Sequence, residues 1–304
     1  MKTRNILICA GVISGLVISC TSEKNDSAIN KETTSANIVE VTALDFRFEA
    51  PDQIPAGWTT FLFKNEGVQE HFLYSYRLPE NKTYAEYEED VLNPFTDIWE
   101  KYASGELTRP EAEQMLGTEI ADWYFTDVIS TGGPALTEPG EVSRTTVKLE
   151  PGLYVMECYV KMPDGRWHTE LGMVRPFTVT EDSTGAEPPK ADLELTLTNY
   201  EITMSGKPSS GKQTIAVHVM ENPEGFMKHD INLFRLDGDT TVEEIVKWMD
   251  WMDLEQFRAP APGYSLGGVE HMNAGKTGYM TVDLGPGDYA WVSEGYGSLG
   301  MVKA

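Results

Sequence analysis

The chain is poor in cysteine, histidine and positive charge. Of 304 residues, three are cysteine (Cys9, Cys20 and Cys158) and five are histidine. So few cysteines exclude a disulfide-stapled scaffold. Lys and Arg number 24 against 48 Asp and Glu, a net charge of -24. Such a surface repels nucleic acid and anionic membrane, so no nucleic-acid partner is expected, whereas a cationic redox protein would be attracted. There is no phosphate-binding glycine loop and no recognisable pair of catalytic carboxylates.

The chain opens with a short basic stretch, Met1 to Asn5, followed by an apolar run from Ile6 to Ser19. Fourteen residues are too few to cross a bilayer as a helix, and the basic flank fits a secretory signal. The run ends Val17-Ile18-Ser19-Cys20, which resembles the lipobox of bacterial lipoproteins. That resemblance implies a signal peptide over 1–19, lipidation of Cys20, and a lipid anchor in the bacterial cell envelope. The anchor would lie in the outer membrane or on the periplasmic face of the inner one. Residues 20–37 lack apolar periodicity and read as a tether. Cys158 is then the one cysteine of the mature protein without an assigned role. A lone thiol in an oxidising compartment is a hazard unless it is buried or bound.

The remainder is written twice. Val41-Thr42-Ala43-Leu44-Asp45-Phe46, with Gly57 eleven residues on, matches Leu195-Thr196-Leu197-Thr198-Asn199-Tyr200 with Gly211. "HFLYSYRL" from His71 matches "HDINLFRL" from His229. Gly-Gly pairs at 132 and 267 each precede, by twenty residues, the glycine of "LEPGLY" and "LGPGDY". Both copies reach "LGMV", at 171 and 299. Five anchors in one order predict a duplication over 38–180 and 190–304, joined by a Gly- and Pro-containing linker.

Each copy reads as β. "TTFLFKN", "RTTVKLE" and "LYVMECYV" are short runs of β-branched and aromatic residues bounded by turn formers, as in a sandwich. Helical insertions are expected between Tyr84 and Val128, with Thr108-Arg109-Pro110-Glu111 as a cap, and from Thr241 to Met252. The Trp and Met residues of the second insertion read as packing.

The stretch "CYVKMPDGRWHTELGM", residues 158–173, gathers Cys158, His168 and Met173, while "FKNEGVQEH" supplies Asn65 and His71. In this pattern the first copy resembles a cupredoxin, the blue-copper sandwich, over about one hundred residues. The resemblance implies an all-β fold with helical insertions, built as two tandem cupredoxin-like Greek-key β-sandwiches. It also implies one type 1 copper held by His71, Cys158, His168 and Met173, with Asn65 behind them tying the two ligand loops together. Thiolate and two imidazoles form a trigonal set, and a weak axial thioether favours the reduced ion. Nine residues separate Cys158 from His168, as in the long ligand loop of copper nitrite reductases, and "MPDGRW" reads as a turn. Zinc could use the thiol and imidazoles, but the methionine offers it nothing. An empty, inherited scaffold is the other reading.

In the second copy Ser293 stands where Cys158 stands, the loop histidine is deleted, and only His229 and Met301 remain. No blue site is expected there, and His218 and His271 read as satisfied or solvated. Glu157 replaces the bridging histidine of copper nitrite reductases and multicopper oxidases, and the first copy has no spare histidine. The expectation is therefore a membrane-anchored single-electron carrier, not an enzyme, with a cytochrome-like cationic partner. The alternative is a non-redox copper-handling or partner-binding lipoprotein.

Overall fold

The computed structural model describes residues 37–223 and 227–295, together with the backbone of Val302–Lys303. The signal, Cys20, nearly all of the tether and Met301 lie outside the described residues. No described helix is long and apolar enough to cross a membrane.

Alternation of apolar residues sets the strands. In β3 (Gln53–Asn65) the side chains of Ile54 and Ala56, then Thr59, Phe61, Phe63 and Asn65, face inward on alternate positions. The phase slips once, near Gly57, whose φ of +115° no other residue type adopts without strain. This lets one long strand serve two layers. Its N-terminal part pairs in parallel with β8, and its C-terminal part lies between β1 and β6. Burying Phe61 and Phe63 at zero exposure contributes roughly 1.5–3 kcal/mol each.

The first run of strands comprises β1 (Asn37–Leu44), β2 (Arg47–Glu49), β3, β4 (Tyr74–Arg77), β5 (Ile129–Gly132), β6 (Val142–Leu149), β7 (Gly152–Glu157) and β8 (Val174–Ser183). The second comprises β9 (Leu193–Leu197), β10 (Ile202–Ser205), β11 (Gly211–Val219), β12 (His229–Arg235), β13 (Tyr264–Met272), β14 (Thr277–Leu284), β15 (Tyr289–Val292) and β16 (Val302–Lys303). The fold is all-β with helical insertions.

One pairing scheme occurs in both runs. β1 pairs in parallel with β3 as β9 does with β11, and β3 is antiparallel to β6 as β11 is to β14. β4 lies between β5 and β7 as β12 lies between β13 and β15. Gly133 passes against the carbonyl of Leu73, and Gly268 against that of Ile231, so closely that a Cβ at either would collide with it. Leu73 and Ile231 each stand two residues after the matching histidine. The two runs join edge to edge, through β6–β14 and through the Thr131–Met272 pair of β5 and β13.

The helices are α1 (Tyr84–Tyr87), a π-helical turn over Glu88–Leu92, α2 (Asn93–Ala103), α3 (Arg109–Glu119), α4 (Asp122–Thr126) and α5 (Val242–Trp248). Thr108 with Glu111, and Thr241 with Glu244, close capping boxes, so both expected helix starts are local sequence features. The second insertion leaves the helix after Trp248, yet Met249 and Met252 are buried, in line with their reading as packing.

Candidate metal centre

β7 ends at Glu157, and Cys158 is the first residue beyond it. The return strand β8 begins at Val174, immediately after Met173. Because β7 and β8 are antiparallel neighbours, the loop between them must close on itself. The Cys158 N–H donates to the Met173 carbonyl at 3.0 Å, and the His168 N–H to that of Val160 at 2.9 Å. The nine intervening residues leave as a small hairpin. Lys161 bridges to Trp167, and the Gly165 N–H donates to Met162 at 2.9 Å, with Gly165 at φ +92° in the Asp-Gly turn. The long spacing therefore returns His168 to the side of Cys158.

His71 arrives from the other side, bridged to Thr137 just before β4. Its Nδ1 lies 3.7 Å from Cys158 Sγ, and His168 Nδ1 lies 3.6 Å from the same sulfur. All three side chains are wholly buried. A thiolate and an imidazole nitrogen bound to one ion at about 2.3 and 2.0–2.1 Å, spread by about 120°, stand about 3.8 Å apart. The spacing fits a shared metal. Met173 is also wholly buried on the same loop.

The outer nitrogens are held. His71 Nε2 donates to Asp45 Oδ1 at 2.7 Å, and His168 Nε2 to Gln69 Oε1 at 3.0 Å. Both imidazoles thus turn Nδ1 toward the sulfur, the orientation that metal-bound histidines keep through such partners. Phe46 covers the pair, its ring centroid 4.8 Å from that of His168. Asp45 and Gln69 carry no motif, and sequence reasoning missed them. Asn65 binds differently from its expected role. Its amide donates to the Gln69 and Thr137 carbonyls at 2.7 and 2.8 Å. It thereby ties the His71 loop to the segment before β6, not to the Cys158 loop.

Burial sets the protonation. It lowers His71 against the opposing pull of Asp45, and it lowers His168, with help from His71, to about 3. It pushes the Cys158 thiol far up, though the Phe72 and Val160 amides oppose this by hydrogen bonding to the sulfur. Without metal the site holds two neutral imidazoles and a thiol.

The ligand hairpin is clamped from outside. Lys161 is fully buried, donates from Nζ to the carbonyls of Trp251 and Asp253 at 2.9 and 2.7 Å, and lies 4.8 Å from the ring centres of both Trp99 and Trp167. Its backbone pairs with Phe257 and Ala259. The α2 insertion and the second run of strands therefore both pack on the loop that carries three of the site residues.

His271 meets the satisfied one of its two expected readings. His271 is no solvated residue: it is 2% exposed and accompanied by Asp230, Glu270 and Glu294. Its Nε2 lies 2.6 Å from the hydroxyl of Tyr159, the neighbour of Cys158. Sequence separation hid this cluster of carboxylates. His218 bonds Thr277 Oγ1 at 2.9 Å.

No protein-family model matches the chain, and no curated protein does. Among solved structures, auracyanin A from Chloroflexus aurantiacus, a "blue" copper protein, is 20% identical with a TM-score of 0.28, over 48% of this chain and all of its own. An azurin of Methylomonas sp. strain J is 14% identical with a TM-score of 0.27, over 36% of this chain and 92% of its own. A multicopper oxidase is 12% identical with a TM-score of 0.24, over 88% of both chains. The presence of that oxidase corrects the expectation that the chain is not an enzyme.

Proposed function

We propose that the chain is a copper protein in which His71, Cys158, His168 and Met173 hold one type 1 copper used for single-electron transfer. The observation that carries this reading is one buried sulfur 3.7 and 3.6 Å from two imidazole nitrogens whose far sides are already bonded. Copper bound there would supply a one-electron couple. The protein's own part is to exclude water, to fix both rings through Asp45 and Gln69, and to hold the loop through Lys161 so that the ligands move little between oxidation states.

In the same reading the second run of strands is a degenerate copy whose recurring pairing scheme supports a duplication. Ser293 there has no thiol to offer copper. The lipobox-like Val-Ile-Ser-Cys20 favours a lipid-anchored protein of the bacterial cell envelope, and the acidic surface favours a cationic redox partner such as a cytochrome.

The test is a titration of metal-free protein with Cu(II). An intense visible band saturating at one equivalent at this site, absent from Cys158→Ser, is the expected result. Zinc retained in preference to copper, or no colour at all, would overturn the reading.

A further inference from the structure

Away from the sulfur site, Asp230 on β12, Glu270 and His271 on β13, and Glu294 after β15 converge where the two runs of strands meet. They are 1%, 2% and 2% exposed for the first three, and the Glu294 side chain is 4% exposed. The ligand-capable atoms of Asp230, Glu270 and His271 all lie within 4.8 Å of one another. Glu294 Oε2 and Glu270 Oε2 stand 3.6 and 3.9 Å from His271 Nε2.

Charge is the first difficulty with so much acid in one place. Burial would lower His271, but the hydrogen bond to Glu294 and the charges of Asp230, Glu270 and Glu294 hold it up, at about 10. Burial also raises Asp230, to about 6, and Glu270 well above its ordinary value, so without a cation the cluster holds protons on its carboxylates. Buried charge left without a partner is costly.

Hydrogen bonding is the second. Among the described residues no side chain donates to the Glu270 carboxylate, whose one compensating donor is the His271 backbone N–H. Glu270, 2% exposed, thus has one donor for its two carboxylate oxygens. The other groups are braced from behind. His271 Nδ1 must carry its proton, because it donates to the Lys228 carbonyl at 2.8 Å, and Nε2 is thereby turned toward the carboxylates and the Tyr159 hydroxyl, 2.6 Å away. Asp230 Oδ1 accepts from Ser293 Oγ and from the Glu294 N–H, both at 2.8 Å, and its Oδ2 accepts from Asn232 at 2.6 Å. Three of about four lone-pair sites are used, and one remains. An imidazole fixed by a backbone carbonyl and a carboxylate fixed by hydrogen bonds are how proteins brace metal ligands.

We propose that Asp230, Glu270, His271 and Glu294 are the ligands of a second metal ion, a divalent first-row cation bound through carboxylate oxygens and one imidazole nitrogen. The donor set selects the ion: with no sulfur it disfavours Cu(I), and with one imidazole among carboxylates it suits Mn²⁺, Fe²⁺ or Zn²⁺. Such an ion would take the place of those protons and give Glu270 a partner. His271 and Tyr159 also line a cavity of about 60 Å³. Ser293, at the position that matches Cys158 in the repeat, has a place here as the donor that orients Asp230.

The experiment titrates the full chain with Mn²⁺, following the signal of the free ion by electron paramagnetic resonance. It is run on wild type and on Cys158→Ser, which separates this site from the copper site. Both should bind one tight Mn²⁺, displaced by Zn²⁺, and the bound ion should show nitrogen hyperfine coupling. Glu270→Gln and His271→Gln should lose that equivalent while keeping wild-type circular dichroism and the blue band with Cu(II). Weak, multiple binding that is the same in wild type and Glu270→Gln, as the acidic surface alone would give, overturns the proposal. So does tight binding without nitrogen coupling, a readout that does not depend on how the variants fold. Should Cu(II) give no blue band while Mn²⁺ still binds, the copper reading fails and this one stands.

Discussion

Asp45 Oδ1 accepts a hydrogen bond from His71 Nε2 at 2.7 Å, and this one contact leaves Nδ1 facing Cys158 Sγ. The loop passes so closely that a Cβ on Gly67 would meet His71 Nε2 at 2.7 Å. Asp45→Ala is therefore expected to weaken Cu(II) binding by about 10- to 100-fold, measured by chelator competition, with the band still present at saturation. Unchanged affinity would mean that Asp45 does not orient the ring.

Copper loading should release one proton per ion. His168, at about 3, and the lowered His71 are already neutral near pH 7, whereas the raised thiol of Cys158 is not ionised. The metal must displace the thiol proton, so apparent affinity should rise about tenfold per pH unit between roughly pH 6 and 8. An indicator titration in weak buffer measures this directly. Release of two protons would place a charged imidazole in the metal-free site.

Lys161 should make the fold more stable in mild alkali. Burial, then the nearby Arg258, lowers it from 10.5 to about 7 in the folded chain. Between those values the unfolded chain holds a proton that the folded chain lacks, so stability rises with pH across that window and is level below it. The gain is on the order of a few kcal/mol, reduced by the two indole faces that favour the charged form. Urea unfolding at pH 7 and 9.5 should show the slope in wild type and not in Lys161→Met.

Substitutions at the sulfur ligands should separate colour from potential. Cys158→Ser should abolish the visible band and leave circular dichroism unchanged. Met173→Leu should keep the band and raise the reduction potential, since the thioether, weak beside other ligands, still donates to the oxidised ion where a leucine donates nothing. Voltammetry showing an unchanged potential would remove Met173 from the ligand set.

The sequence by itself determined the features whose causes are local. Period-two burial along Gln53–Asn65, the capping boxes at Thr108 and Thr241, and the short loop carrying Cys158, His168 and Met173 are all written within a few turns of chain. Their geometry follows from backbone preferences and side-chain reach. Tertiary structure alone decided what lies behind and beside that loop. Asp45 reaches His71 across 26 residues, and Lys161 reaches carbonyls 90 and 92 residues away. Asp230, Glu270, His271 and Glu294 meet Tyr159 only because the edges of the two runs of strands pair in one register. That register is set by the fit of whole buried faces, and a slip of one residue would turn each of these side chains to the opposite side of the sheet.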